Sequence, residues 1–358
     1  MNEGRLKAVM AGQDRTCRGA LARGGLSALA PAYRTAVALH NLPFDAGWRK
    51  PARLPRPTIA VGNITAGGTG KTPVTRALAY ELLAMKHRPA ILLRGYKARH
   101  GKSDEAQLYE RAFEACEVPV AVVADPSRVR AGERALDEVP ETDVFLLDDA
   151  FQHRRVHRDL NLVLLDATCP FGYGRLLPRG LLREPLTALR RADHVIVTRC
   201  DQIDAGQRRA LDARLKQITG TMPLAHATHC WSALRDQDNT ECELKAIEDQ
   251  RVVGACGIGN PHAFDRSLQQ HAGRVLWSRH LDDHASPTRD ALTRLFDQAT
   301  GDGAAALVTT EKDWVKWQPL LRRQTLPLAV YRPVLSIGWL DGEAAVRQAL
   351  QRVFASSQ

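Results

Sequence analysis

Short apolar runs alternate with stretches of helical spacing along most of the chain. The segments 56–63 (RPTIAVGN), 89–96 (PAILLRGY), 119–125 (PVAVVAD), 143–150 (DVFLLDDA), 159–167 (DLNLVLLDA) and 193–201 (DHVIVTRCD) each read as a buried strand bounded by turn or helical residues. The residues after Thr72, PVTRALAYELLAMKH, read as a helix that accepts Pro73 in its first turn. Strands apolar on both faces and separated by helices predict a mainly parallel sheet sandwiched by helices. A second, smaller α/β unit follows. RVVGACGIGNP (251–261) reads as a strand and Gly-rich turn leading into the helix HAFDRSLQQHA. AAALVTTEKDWVKW (304–317) reads as strand then helix, and PLAVYRPVLSI (327–337) as a late strand. The pattern divides the chain into a leader (1–55), a core (56–205), a polar connector (206–250) and a C-terminal α/β domain (251–358).

Composition narrows the class. With 358 residues the chain can bury sizeable cores. No run of roughly 18 apolar residues predicts a membrane-spanning helix, and no secretory signal opens the sequence. Seven cysteines, odd in number and without a CxxC pair, fit reduced cytosolic thiols better than disulfides or a zinc site. The formal charge of +10 is uneven. Residues 1–56 hold ten Lys and Arg against three acids, so this stretch carries +7 of the excess. Within it Leu26, Leu29, Tyr33, Val37 and His40 fall at helical intervals, interrupted by Pro31. Two readings stand: a short basic helix lying on an anionic membrane surface, or a helix packed on the protein's own core.

Chemistry enters at AVGNITAGGTGKTP (60–73). Gly70, Lys71 and Thr72 match the end of a phosphate-binding P-loop, GxxxxGK[ST], with the strand before and the helix after that the motif needs. The opening glycine is replaced by Thr65. Gly67 and Gly68 supply the backbone freedom, and Ala66 stands where partitioning-type ATPases carry a signature Lys. The expected nucleotide contacts are Thr65, Ala66, Gly67, Gly68, Thr69, Gly70, Lys71 and Thr72. FLLDDAFQH (145–153) ends a strand in Asp148 and Asp149, a position from which a carboxylate can hold Mg²⁺ beside bound phosphates. The plainer alternative for the pair is a helix cap or solvated turn. The fold class is therefore α/β, a P-loop NTPase-like sheet with a second smaller domain.

VGNITAGGTGKTP, LLRGY, DDAFQHRR, GRLLPRGLLREP, GIGNP and LVTTEKD, in that order from residue 61 to 313, together resemble the tetraacyldisaccharide 4′-kinase family, the lipid A kinases. The resemblance implies a kinase using ATP and Mg²⁺ to phosphorylate the 4′-hydroxyl of a tetraacyldisaccharide 1-phosphate lipid, at the cytoplasmic face of the bacterial inner membrane. It implies Asp104 as general base and His284 as its partner, drawn from two domains. It makes Arg183 the cation for the transferring phosphoryl group and Glu184 an electrostatic or metal-linked partner. Gln152 would position phosphate or metal waters, and Thr72, Asp148, Asp149 and Glu105 would serve the metal. Four positions depart from the family pattern: Ser103 and Ala106 flank the acidic pair, Ala150 follows Asp149, and Ala285 follows His284. The resemblance also favours the membrane-surface reading of the leader.

Two other functions draw on parts of the same sequence. TRCD (198–201) sits at a strand end where guanine-reading GTPases have [NT]KxD, but Arg199 replaces the Lys. A regulatory or metallochaperone-type GTPase is thus the alternative. Nucleic acid is not an expected partner, because no recognition module or aromatic interleaving accompanies the basic leader.

Overall fold

In a computed structural model the described residues are 3–95, 104–114, 116–281, 287–321 and 325–355. They form two units, Met1–His229 with Ile337–Gln358, and Cys230–Ser336. The first begins with α1 (Glu3–Ala11) and α2 (Cys17–Asp45), then alternates β1 (Thr58–Asn63), α3 (Lys71–Ala84), β2 (Pro89–Leu93), α4 (Asp104–Phe113), β3 (Val122–Ala124), α5 (Arg128–Glu138), β4 (Val144–Leu147), β5 (Leu160–Asp166), β6 (His194–Thr198), α6 (Ala205–Thr219) and the first part of β7 (Ala225–Arg235). The second holds β8 (Glu241–Cys242), β9 (Arg251–Cys256), α7 (Pro261–His271), β10 (Arg274–His280), α8 (Arg289–Gly301), β11 (Ala306–Thr309), α9 (Glu311–Leu321) and most of β12 (Ala329–Asp341). Helix α10 (Glu343–Ala355) returns to the first unit.

The first unit's sheet runs β7-β6-β5-β1-β4-β2-β3, and every pairing is parallel. Alternate residues of each strand face opposite helical layers, as the two-residue side-chain period requires. Ile59, Val61, Leu146 and Leu162 pack with Leu78 and Leu82 of α3, Tyr109 of α4 and Leu350 of α10. On the other face Ala60, Phe145 and Leu147 meet Ala131 and Ala135 of α5, while Val163 and Val197 meet Leu211 and Leu215 of α6. The order reverses around β1: β4 is inserted between β1 and β2, and β5 to β7 lie on the far side. In parallel sheets this reversal opens a crevice at the strands' carboxyl ends, where ligands bind.

Two stretches differ from the sequence expectation. The segment 206–250 is not bare connector. It contains α6, fixed by a reciprocal Asp204–Gln207 capping box and ended at Gly220, and then β7. Its polar composition reflects a helix that buries only a narrow stripe around Leu211 and Leu215. In the leader, Pro31 does not stop the helix. Both Pro31 and Pro43 lie inside α2, which starts at an N-cap where Thr16 accepts from the Gly19 N–H. One face of α2 is docked: the Tyr33 hydroxyl donates to the Arg183 carbonyl at 3.0 Å, and Asn41 Nδ2 to Glu184 Oε1 at 3.1 Å. Leu21, Leu29, Leu39 and Leu42 remain exposed, as does Trp48 beyond its end. None of the seven cysteines forms a disulfide.

In the second unit β10-β9-β11-β12 are parallel, with α7, α8 and α9 packed around them. Two of its sequence motifs meet here. Asp313 of TTEKD is buried and accepts the Gly257 N–H of GIGNP at 2.9 Å.

Gly62 of β1 shows how tightly the strand meets the loop after β4. A Cβ there would lie 2.5 Å from the Phe151 backbone nitrogen and 2.6 Å from its Cβ. Gly62→Ala is expected to lower unfolding free energy by about 1–3 kcal/mol in urea titration, the usual cost of overpacking a core that cannot yield. An unchanged midpoint would show that the Phe151 segment moves freely.

Candidate active site

The phosphate loop leaves β1 at Asn63 and enters α3 at Lys71, with Gly70 as a left-handed N-cap at φ 81°. Gly67 is also left-handed, at φ 117°. A Cβ on Gly67 or Gly68 would meet nothing within 4 Å, so the backbone on this side stands open to a ligand. Thr65 and Thr69 are buried. Asn63 Nδ2 donates to the Thr65 carbonyl at 2.7 Å, closing the loop's first turn.

GRLLPRGLLREP straps this loop from outside. The Ala66 N–H donates to the Leu181 carbonyl at 2.6 Å and the Arg183 N–H to the Ile64 carbonyl at 2.8 Å. Backbone pairing thus delivers Arg183 to the loop. Its Nη1 lies 3.1 and 3.2 Å from the two Asp149 carboxylate oxygens and 3.4 Å from Gln152 Oε1. Gln152 in turn donates to the Asn63 carbonyl at 2.8 Å. Lys71 Nζ approaches Asn63 Oδ1 at 3.3 Å and Asp149 Oδ1 at 3.5 Å. Lys71, Asp149, Arg183 and Gln152, all expected from sequence, therefore converge. Burial pushes the Asp149 carboxyl up, but Lys71 and Arg183 outweigh it and hold it below its ordinary value. Asp148 is buried; burial raises its carboxyl pKa, against the opposing pull of Lys71. Among the described residues no group of three or more His, Cys, Asp or Glu could hold a metal alone. That suits Mg²⁺, which takes one or two carboxylates and completes its shell with phosphates and water. The open glycine backbone, Lys71 and the carboxylates at the end of β4 fit a Mg²⁺–nucleotide.

Other expected residues are placed differently. Glu184 is buried with both oxygens engaged, Oε1 by Asn41 of α2 and Oε2 by Arg191. A carboxylate so enclosed anchors α2 and the 183–185 strap. Asp104 begins α4, and Glu105 follows it exposed to solvent. His284 lies outside the described residues.

Four contributors escaped the sequence reading. Thr198 Oγ1 donates to the Thr69 carbonyl at 3.1 Å, and Arg199 Nη2 to the Gly68 carbonyl at 2.8 Å while its Nη1 pairs with Asp166. TRCD is therefore a brace for the phosphate loop, and its arginine is not free to read a guanine. The Tyr109 hydroxyl donates to Asp148 Oδ2 at 2.9 Å. The His229 imidazole fills the space beside Gly70, with Nε2 buried and unpaired. Burial and the charge of Arg199 depress its pKa to about 4, so it is neutral near pH 7. TRCD was visible in the sequence under another meaning; nothing in the pattern marks Tyr109 or His229.

Comparison with known proteins agrees with this geometry. The family model described as tetraacyldisaccharide-1-P 4′-kinase matches residues 23–355. The tetraacyldisaccharide 4′-kinase of Geobacter metallireducens is 36% identical over 88% of this chain and 94% of its own. That of Geobacter sulfurreducens is 37% identical over 90% of each. The crystal structure of LpxK from Aquifex aeolicus in complex with ATP superposes with a TM-score of 0.67 at 26% identity, covering 93% of this chain and 99% of that one.

Asp149 gives the site a signature in acid. Its folded-state pKa lies below 3.8, so its stabilising effect is complete above that value and is lost as pH falls through the lower folded pKa. Urea titrations of wild type and Asp149→Asn should differ by a constant margin from pH 7 to about pH 4, narrowing below it. A margin that already fades above pH 5 would show that Asp149 is not held by Lys71 and Arg183.

Proposed function

This chain belongs to the tetraacyldisaccharide-1-P 4′-kinase family, and from that premise we propose how its own residues carry the reaction. The protein is an ATP-dependent lipid A 4′-kinase, moving a phosphoryl group to the 4′-hydroxyl of a tetraacyldisaccharide 1-phosphate. The observation that carries the reading is the meeting of Lys71, Asp149, Arg183 and Gln152 on a braced phosphate loop, within a family match that spans most of the chain.

The loop's backbone N–H groups between Thr65 and Thr72 receive the phosphates of ATP. Lys71 exchanges Asp149 for phosphate oxygens, and Arg183 turns toward charge on the transferring group. The Thr72 hydroxyl, Asp148 and Asp149 would hold Mg²⁺, and the family resemblance adds Glu105 to the residues that would serve it. When bound, the ion neutralises charge across the β- and γ-phosphates. Gln152 orders the surrounding polar groups. Asp104 takes the proton of the acceptor hydroxyl and His284 orients it, a division of labour that suits a weak alcohol nucleophile.

The lipid acceptor must be met at a surface. Among the described residues no helix is long and apolar enough to cross a membrane. We propose that α2 makes the contact peripherally, at the cytoplasmic face of the inner membrane. Its exposed leucines and Trp48 supply apolar area, and Arg15, Arg18, Arg34, Arg49 and Lys50 supply attraction to anionic headgroups.

Labelled ATP, Mg²⁺ and tetraacyldisaccharide 1-phosphate in mixed micelles test the chemistry. Asp104→Ala is expected to lower kcat by about 10²–10⁴-fold with little change in KM for ATP. Full activity in this variant would remove Asp104 as the base, and no transfer by a folded, ATP-binding wild type would remove the lipid acceptor. Vesicle co-sedimentation tests the surface contact. Replacing Leu21, Leu29 and Leu39 together by Ser should weaken binding to anionic vesicles by about tenfold or more, from the apolar area lost. Binding of the wild type should also fall with salt, and equal sedimentation of both proteins would exclude α2 as the contact.

A further inference from the structure

Tyr109 occupies an unusual place for a core aromatic. Its ring is fully buried among Val61, Leu78 and Leu82, where phenylalanine would pack equally well. Its hydroxyl reaches the one buried carboxylate at the end of β4. Asp148 is held on three sides: Oδ2 accepts from Tyr109 at 2.9 Å, Oδ1 from the Asp149 N–H at 2.8 Å, and its carbonyl from Arg128 Nη2 at 2.9 Å. That hydroxyl therefore touches a carboxylate that the kinase reading assigns to the metal, from the helix that begins at Asp104. Five residues separate Asp104 from Tyr109, about one and a half helical turns.

We infer that Tyr109 is a positioning residue for the metal end of the nucleotide site, holding Asp148 in the arrangement that Mg²⁺ takes up and tying α4 to it. The inference rests on the proposed function. A buried carboxylate with a free oxygen can turn away from its ion, and a buried phenol left without a partner would be costly. Each group answers the other's need. Hydrogen-bond partners behind metal ligands characteristically affect metal affinity by 10–100-fold, and Tyr109 stands in that relation to Asp148.

Tyr109→Phe keeps the ring and removes only the oxygen. Mn²⁺ binding, read by electron paramagnetic resonance in the presence of ATP, should weaken by about 10- to 100-fold. ATP binding without metal should stay within about twofold, a margin too small to reflect loss of the loop. Unchanged Mn²⁺ affinity with a lowered melting temperature would overturn the inference, leaving a phenol that only fills the core. Equal losses of Mn²⁺ and metal-free ATP binding would overturn it too, since the loop as a whole would then have been disturbed. A second test does not depend on that variant folding. In Tyr33→Phe protein carrying ¹³Cζ-tyrosine, one buried resonance should shift when Mg²⁺ joins the ATP complex, and no shift in any would overturn the assignment. Failure of the kinase reading shows separately, as metal binding that obeys these expectations without phosphate transfer to the lipid.

Discussion

The lysine of a phosphate loop needs a counter-charge, and much of the first unit is arranged around how Lys71 obtains one. Asp149 provides it, held in the left-handed region at φ 48° and shared with Arg183. The same carboxylate thus keeps two cations in place before any anion arrives. An incoming phosphate competes for both. Because Arg183 is delivered by backbone pairing and Lys71 by the first turn of α3, neither has far to travel when the counter-charge changes hands. Local electrostatics of this kind cost little reorganisation, which is where preorganised sites gain their advantage.

Around that centre the loop is braced from both flanks of β1. On one side lie the 181–183 strap and the turn after β4. On the other, Thr198 and Arg199 at the end of β6 hold the carbonyls of Thr69 and Gly68. Arg199, like Asp149, has a positive φ, 56°. Non-glycine residues in that region are uncommon and gather where surrounding contacts over-determine the backbone. Here one stands on each side of the loop. The brace takes over the mechanical part that an opening glycine and a tighter turn would otherwise play, consistent with Thr65 at that position.

The strands were legible because each is apolar on both faces, a pattern only a covered parallel sheet produces. The P-loop was legible because lysine and threonine must follow glycine at fixed spacing. Three things were hidden for physical reasons. Helix α6 buries only a narrow stripe, so its composition resembles a linker. Glu184 sits in a motif that advertises chemistry, yet Asn41 and Arg191, distant or polar and unremarkable in sequence, occupy both its oxygens. Tyr109 looks like any core aromatic until the fold brings Asp148 to its hydroxyl from 39 residues away. Sequence spacing reveals groups that act through neighbouring backbone. It does not reveal partners supplied by strand order.

The return of α10 to the first unit has a consequence for how this enzyme is made. Val346, Leu350 and Val353 belong to the same apolar cluster as Ile59, Val61 and Leu162 of the central strands, yet the intervening chain builds the second unit first. A ribosome releases these segments in order. Until α10 emerges, the nascent kinase carries its phosphate loop on a sheet with part of one apolar face uncovered. The core of the first unit is therefore closed only after the segments of the second have been made.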